Sequence, residues 1–223
     1  MSGNAISNAK PIKKEDYKKL FNTLKSILPY GLTLYPYGSA GKKDISGDAD
    51  FFIDSADILS VFPSKTLTDS RKTLQQYFIY RKYESTRTGT SVHVGIPIND
   101  DIIQVDLTII ENAATISYLH DHVYDNNEVK GKTIVSIWCD LANLTSDNLM
   151  LSPYKGLLTR DTRELVSNDP YEIAKIIIGP NATEYDMRSP KRLLNAVAND
   201  DIKFQHIKNT YNIWKNMAER SIT

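Results

Sequence analysis

The chain has 223 residues, equal numbers of acidic and basic side chains, and a single cysteine. The zero net charge excludes the strong global field that draws some proteins to nucleic acid or membranes, and one cysteine excludes an internal disulfide framework. No stretch approaches the roughly 18 apolar residues of a membrane span, so we expect a soluble, cytoplasmic protein with no membrane partner.

The first predicted elements lead into a Gly-Ser turn (Gly38 and Ser39). Residues 1–11 are polar and aperiodic, which predicts a loose tail. From Lys14, apolar residues recur at helical spacing until a proline and a glycine end the pattern near residue 30. Residues 32–37 read LTLYPY, a short strand that runs directly into the turn.

The next predicted strand carries charge where a strand normally does not. Residues 48–54 read DADFFID, and side chains alternate between the two faces of a strand. One face would hold Asp48, Asp50, Phe52 and Asp54, and the other Ala49, Phe51 and Ile53. Burying unpaired carboxylates costs several kcal/mol, so a partner such as a metal ion is expected beside the aspartates.

A helix is predicted within residues 64–79, and a β-hairpin follows. Its arms are residues 91–98 and 102–110, joined by a polar turn. In the second arm the apolar residues share one face, while Gln104, Asp106 and Thr108 share the other. Asp106 is thus a lone carboxylate in an otherwise apolar strand.

After residue 112 the sequence pattern becomes typical of helices. Asn168 or Asp169 is predicted to cap a helix that starts at Pro170, and further helices follow Ser189 and include Ile207, Tyr211 and Trp214. The basic residues Lys155, Arg160 and Arg163 are interpreted as a solvated helix face, with a face turned toward a triphosphate as the alternative. The composition shift at residues 112–130 predicts two domains, 1–125 and a mostly helical 126–223.

Three carboxylates form the candidate metal site. Asp48 and Asp50 would lie about 7 Å apart on one strand face. If the strand of Asp106 lies alongside, all three converge and repel one another unless a divalent cation binds. Oxygen-only ligation is what Mg²⁺ prefers, and a pair of such ions about 3.5–4 Å apart serves phosphoryl transfer.

The Gly-Ser turn supplies the complementary phosphate site. Gly38 allows close approach of the backbone to a phosphate, and Ser39 offers a hydroxyl and an N–H group. Lys42 and Lys43 would add positive charge there.

This order of features resembles the polymerase-β-like nucleotidyltransferase superfamily, over residues 14–112. The resemblance implies an α+β fold, with a small mixed sheet flanked by helices and then a helical C-terminal region. It also implies transfer of a nucleoside monophosphate from an NTP to a hydroxyl, with Mg²⁺ or Mn²⁺ bound and pyrophosphate released. Acceptors across the superfamily include RNA or tRNA ends, small molecules and proteins.

The resemblance also implies a role for each site residue. Gly38 and Ser39 would hold the nucleotide phosphates, and Asp48 and Asp50 would bind both metal ions. Asp106 would bind the catalytic metal and help activate the acceptor hydroxyl.

Two departures from the family pattern leave an alternative open. The spacer between Ser39 and Asp48 has eight residues, which is short, and Ala49 is smaller than the usual residue between the aspartates. The alternative is a catalytically inactive nucleotide-binding or protein-interaction module. A third reading makes residues 113–223 a binding region for a protein partner.

The remaining polar candidates are interpreted as structural. Asp54 is predicted to be a solvated strand end, His93 a structural residue within its strand, and His120 and His122 surface histidines. Cys139 is expected to be a small core residue. Residues 10–25 carry six lysines against two acids, as the polar face of a helix or a guide for an RNA or nucleotide.

Overall fold

The computed structural model describes the backbone of residues 5–122 and 131–220, and their side chains except at 131–133 and 213–220. The chain divides into two compact units, Met1–Ser117 and Tyr118–Thr223. Within the described ranges, no helix has both the length and the apolar character needed to cross a bilayer. All residues of the candidate site lie in the first unit.

The first unit has a mixed central sheet flanked by helices. Its elements in chain order are β1 (Ile12–Lys13), α1 (Tyr17–Ile27), β2 (Tyr35–Tyr37), β3 (Ile45–Ser46), β4 (Ala49–Asp54), α2 (Ser55–Val61), α3 (Leu67–Tyr80), β5 (Ser85–Thr88), β6 (Ser91–Ile98) and β7 (Asp101–Ile110). Helix α4 (Ala113–Leu119) spans the division between the units. The central sheet has the order β2-β4-β7-β6-β5, with β4 parallel to β7 and the other neighbours antiparallel. The predicted α+β class with a mixed sheet is confirmed.

The hydrophobic core covers one face of the central sheet. Alternate residues of three strands face it, namely Ala49, Phe51, Ile53, Val92, Val94, Ile96, Val105, Leu107 and Ile109. Leucines of α1 and α3 are buried in the same cluster. Because side chains alternate along a strand, Asp50, His93, Gln104 and Asp106 lie on the opposite face, called the polar face below. The predicted placement of Asp106 on the polar side of its strand is confirmed.

The N-terminal residues pack against this sheet, so the predicted loose tail is wrong for residues 5–11. Ile6 is only 3% exposed, and the backbone N–H of Lys10 donates to the carbonyl of Ile102 at 2.8 Å. The contact depends on Gly95, where a Cβ atom would stand 2.9 Å from Cγ2 of Ile6. A polar, aperiodic segment gives no local signal of such packing, because the space for Ile6 is left by Gly95 on a strand distant in sequence.

The second unit combines helices with a small sheet. Its elements are α5 (Gly131–Thr145), β8 (Leu149–Ser152), β9 (Gly156–Thr159), β10 (Leu165–Ser167), α6 (Pro170–Ile177), α7 (Pro190–Ala196) and α8 (Asp201–Arg220). The strands pair antiparallel in the order β10-β9-β8. As predicted, Asp169 caps the helix that starts at Pro170, accepting from the N–H groups of Tyr171 and Glu172.

The sheet of the second unit corrects the interpretation of residues 155–163. Lys155 lies in the turn between β8 and β9, and Arg160 and Arg163 lie between β9 and β10, so they do not form a helix face. Strands of three or four residues are too short to show a clear alternation, and the flanking helical pattern dominates such a window.

Replacing Ile6 by alanine tests the packing of the N-terminal residues. We expect the free energy of unfolding to fall by about 2–4 kcal/mol, because a buried isoleucine is lost. Urea unfolding measures the change. Ile45→Ala is the matched control, since Ile45 is 62% exposed and its loss should cost less than about 0.5 kcal/mol. Equal, small effects of the two substitutions would contradict the packing.

Candidate metal centre

Three carboxylates meet on the polar face of the central sheet. The parallel register of β4 and β7 pairs Asp50 with Asp106, and Asp48 comes immediately before β4. One oxygen from each of the three side chains lies within 4.8 Å of the other two. The strand register therefore brings together carboxylates that are 56 residues apart in the sequence.

Burial and mutual repulsion disfavour the charged forms of these groups. Asp48 is 6% exposed, and burial, followed by the charge of Asp106, raises its pKa to about 6, although His93 opposes the shift. Burial, then the charges of Asp48 and Asp106, raises the pKa of Asp50 well above its usual value. Deprotonation of all three groups would thus concentrate negative charge in a poorly solvated place.

Tyr17 adds a polar group beside the cluster that the sequence did not reveal. Burial and the negative charge of Asp50 raise the pKa of its hydroxyl to about 12. Its ring stacks on Phe51 and lies against Gly41, where a Cβ atom would stand 2.6 Å from Cδ1 of Tyr17. Tyr17 therefore stays protonated at neutral pH and adds no charge to the cluster.

The donor set of the cluster fits a hard divalent cation. All three candidate ligands are carboxylate oxygens, which suit Mg²⁺ and Mn²⁺ better than softer metals. The short separations allow a shared ion, and a cation would offset the burial penalty and the repulsion that raise the two pKa values. Asp48, Asp50 and Asp106 are therefore the residues that would hold such an ion.

The Gly-Ser turn lies against the acidic cluster. Strand β2 ends at Tyr37, which pairs with Asp50, so the turn begins one residue beyond this pair. Gly38 has a positive φ of 76°, and a Cβ atom there would overlap the carboxylate of Asp50. Glycine is thus required for both the backbone conformation and the close approach.

The spacer after the turn folds back on itself. The N–H groups of Lys42 and Lys43 both donate to the carbonyl of Ser39 at 3.0 Å, forming a tight turn. The hydroxyl of Ser39 then donates to that of Ser46 at 2.9 Å. The eight-residue spacer therefore closes locally, and it leaves Gly38 next to Asp50.

Two polar side chains hold one oxygen of Asp106. Nδ1 of His93 lies 2.7 Å from Oδ1 of Asp106, and Nε2 of Gln104 donates to the same oxygen at 2.8 Å. His93 is the direct partner of Asp106 in the β6–β7 ladder. In the structure a two-residue turn at Asn99 and Asp100 fixes this register, whereas the sequence predicts a turn over residues 99–101.

Other polar residues singled out in the sequence lie apart from the cluster. Asp54 is not a solvated strand end: it accepts hydrogen bonds from the N–H groups of Ala56 and Ala113 and caps α2. His120 and His122 are 7% and 3% exposed, so the prediction of surface histidines is wrong. Local sequence does not show burial of polar residues that tertiary neighbours enclose.

Comparison with known proteins gives no relative for this chain: no family model matches it, and no curated protein matches it.

Asp48→Asn tests the electrostatics of the cluster. A carboxyl whose folded-state pKa is raised stabilises the protein at low pH and loses that contribution as pH rises through about 6. Asparagine mimics the protonated form, so in EDTA at pH 8 the variant should melt higher, by about 2–4 °C for each kcal/mol of relieved repulsion. The gain should shrink toward pH 4. Differential scanning calorimetry measures it.

The same experiment with Mg²⁺ tests the cation site. Adding the ion at pH 8 should raise the melting temperature of the wild type and have less effect on Asp48→Asn. Asp44→Asn serves as control because Asp44 is exposed in the same loop and should respond like the wild type. The assignment would be contradicted if Mg²⁺ left the melting temperature of the wild type unchanged and Asp48→Asn melted lower than the wild type in EDTA.

Proposed function

We propose that the protein is a metal-dependent nucleotidyltransferase that moves a nucleoside monophosphate from an NTP to a hydroxyl acceptor. The observation that carries this proposal is the convergence of Asp48, Asp50 and Asp106 beside a glycine turn. Carboxylates that bind divalent ions and a turn that binds phosphates are the two parts such a reaction needs.

In the proposed reaction, the acceptor hydroxyl loses its proton to water, and its oxygen forms a bond to the α-phosphorus of the NTP. The bond from that phosphorus to the bridging α–β oxygen breaks, and pyrophosphate leaves with the bridging oxygen. When bound, Mg²⁺ or Mn²⁺ supplies neutralisation of the phosphate charge and a lower pKa for the acceptor hydroxyl.

The proposal gives each residue of the site a role. Asp48 and Asp50 bind both metal ions, and Asp106 binds the catalytic one and helps activate the acceptor hydroxyl. The Gly-Ser turn binds phosphate oxygens through its N–H groups, and the hydroxyl of Ser39 joins them by exchanging its contact with Ser46 for a phosphate oxygen. Lys42 and Lys43, which are half-buried beside the turn, add positive charge near the phosphates.

The proposed architecture is a polymerase-β-like catalytic domain in residues 1–125 followed by a mostly helical region in 126–223. Support comes from the order of the site residues along the chain and from the parallel pairing that sets Asp50 beside Asp106. The acceptor belongs to one of three classes: an RNA or tRNA end, a small molecule or a protein.

The two departures from the family pattern bear little on the acidic cluster. Ala49 is fully buried in the hydrophobic core, on the opposite face of β4 from Asp50. The short spacer folds back through the contact between Ser39 and Ser46. These observations favour an active enzyme over an inactive nucleotide-binding or protein-interaction module on the same scaffold.

A transfer assay tests the proposal. The full chain is incubated with each α-³²P-labelled NTP, Mg²⁺ or Mn²⁺, and a panel of RNA, small-molecule and protein acceptors, and released pyrophosphate is measured. Asp50→Asn and Asp106→Asn should each lower the rate by about 100-fold or more, because they remove a metal ligand.

Asp54→Asn is the matched control for this assay. Asp54 lies on the same strand and the same face as Asp50, yet its side chain caps α2. Asparagine keeps this cap but loses the hydrogen bond from the N–H of Ala113, so the melting temperature of the control is measured beside its transfer rate. The control should keep wild-type transfer. Metal-dependent NTP binding without pyrophosphate release under any acceptor would favour the inactive module. Transfer that persists unchanged in the Asp50 and Asp106 variants would contradict the assigned roles.

A further inference from the structure

A hydrogen-bond network on the polar face converges on Oδ1 of Asp106. His93 contacts this oxygen from the neighbouring strand β6, and Gln104 contacts it from two residues earlier on β7. A carboxylate oxygen only accepts hydrogen bonds, so Nδ1 of His93 is the donor in its contact. Two donors on one oxygen fix the rotation of the carboxylate, and neither of them contacts Oδ2.

The N-terminal segment, residues 5–10, fixes the orientation of Gln104. The backbone N–H groups of Ala5 and Ile6 donate to Oε1 of Gln104 at 2.9 and 3.1 Å. Since Oε1 accepts these two bonds, the amide NH₂ group must point the other way, toward Asp106. Gln104 is 1% exposed, so this orientation is enforced in a site where water does not compete.

The segment reaches Gln104 because the sheet leaves space for it. Gly95 is the partner of Gln104 in the β6–β7 ladder, and the side chain of Ile6 packs over this glycine. The N–H of Ser7 donates to the carboxylate of Glu84 at 2.8 Å, which anchors the segment beyond the network. The first residues of the described chain are thus connected to Asp106 through a single side chain.

We propose that His93 and Gln104 are positioning residues for Asp106, and that the N-terminal segment takes part in the site by locking the amide of Gln104. The catalytic part of this inference rests on the proposed function. Its first test, on metal affinity, requires only the cation site. Groups that orient a metal-binding carboxylate affect metal affinity by about 10–100-fold. A merely structural role for the same groups would change stability and leave metal affinity as it is.

Mn²⁺ alone is the probe for the first test, with binding to the full chain followed by electron paramagnetic resonance and isothermal titration calorimetry. His93→Leu and Gln104→Met each remove a donor to Asp106 and keep similar volume. We expect each to weaken Mn²⁺ affinity by about 10–100-fold. His93→Asn is the rescue variant, because its amide nitrogen occupies the position of Nδ1, and it should stay within about threefold of the wild type.

The N-terminal segment is tested with a matched pair. Deleting residues 1–6 removes both N–H donors to Gln104, and should weaken Mn²⁺ affinity as Gln104→Met does. Ile6→Ala keeps both N–H groups but loses the packing that places them, so its Mn²⁺ affinity should fall less than that of the deletion variant. Melting temperatures in EDTA, measured for all variants, separate the two effects.

Kinetics then separate this inference from the proposed function. Where the wild type transfers nucleotide, His93→Leu and Gln104→Met should lower kcat and raise the metal concentration needed, with little change in KM for the NTP. If the wild type binds Mn²⁺ but transfers nothing, the Mn²⁺ affinities still decide the inference while the proposed function fails. A wild type that binds no Mn²⁺, or variants with wild-type Mn²⁺ affinity and only a lower melting temperature, would overturn it.

Discussion

The main constraint on the first unit is repulsion among three carboxylates, which have oxygens within 4.8 Å of one another. The hydrophobic pattern of β4 and β7 sets the register that creates it, because a slip of one residue would move each aspartate into the core. Burial of the apolar face therefore stabilises a strand pairing that carboxylate repulsion on the polar face destabilises. A bound cation would offset this repulsion, and burial together with the neighbouring carboxylates raises the pKa of both Asp48 and Asp50.

The surroundings of the cluster serve this arrangement from several directions. Gly38 has no side chain where any Cβ atom would collide with Asp50, so the Gly-Ser turn and the acidic cluster adjoin. His93 and Gln104 hold Asp106 from the other side of the cluster. Strands β4, β6 and β7, the Gly-Ser turn and the N-terminal segment thus contribute groups to one small volume. None of these contacts is local in sequence except that between Gln104 and Asp106.

The sequence predicted the parts of the first unit that follow from periodicity. Alternation in DADFFID and in residues 102–110 placed the aspartates on the polar side of their strands, and the polar residues 99–101 predicted the turn of the hairpin. What the sequence did not reveal depends on distant neighbours. Ile6 packs because Gly95 leaves a gap, and His120 and His122 are buried by surrounding tertiary structure. The strands of residues 149–167 were missed because each is too short to show a period. The roles of the site residues in catalysis stay predictions.

A crystal structure of the full chain with Mn²⁺ and a nonhydrolysable NTP tests the central claim most directly, using the anomalous signal of manganese. The account predicts anomalous peaks coordinated by oxygens of Asp48, Asp50 and Asp106, with the NTP phosphates against the N–H groups of Gly38 and Ser39. Manganese bound elsewhere with this cluster empty, or phosphates bound away from the Gly-Ser turn, would contradict it.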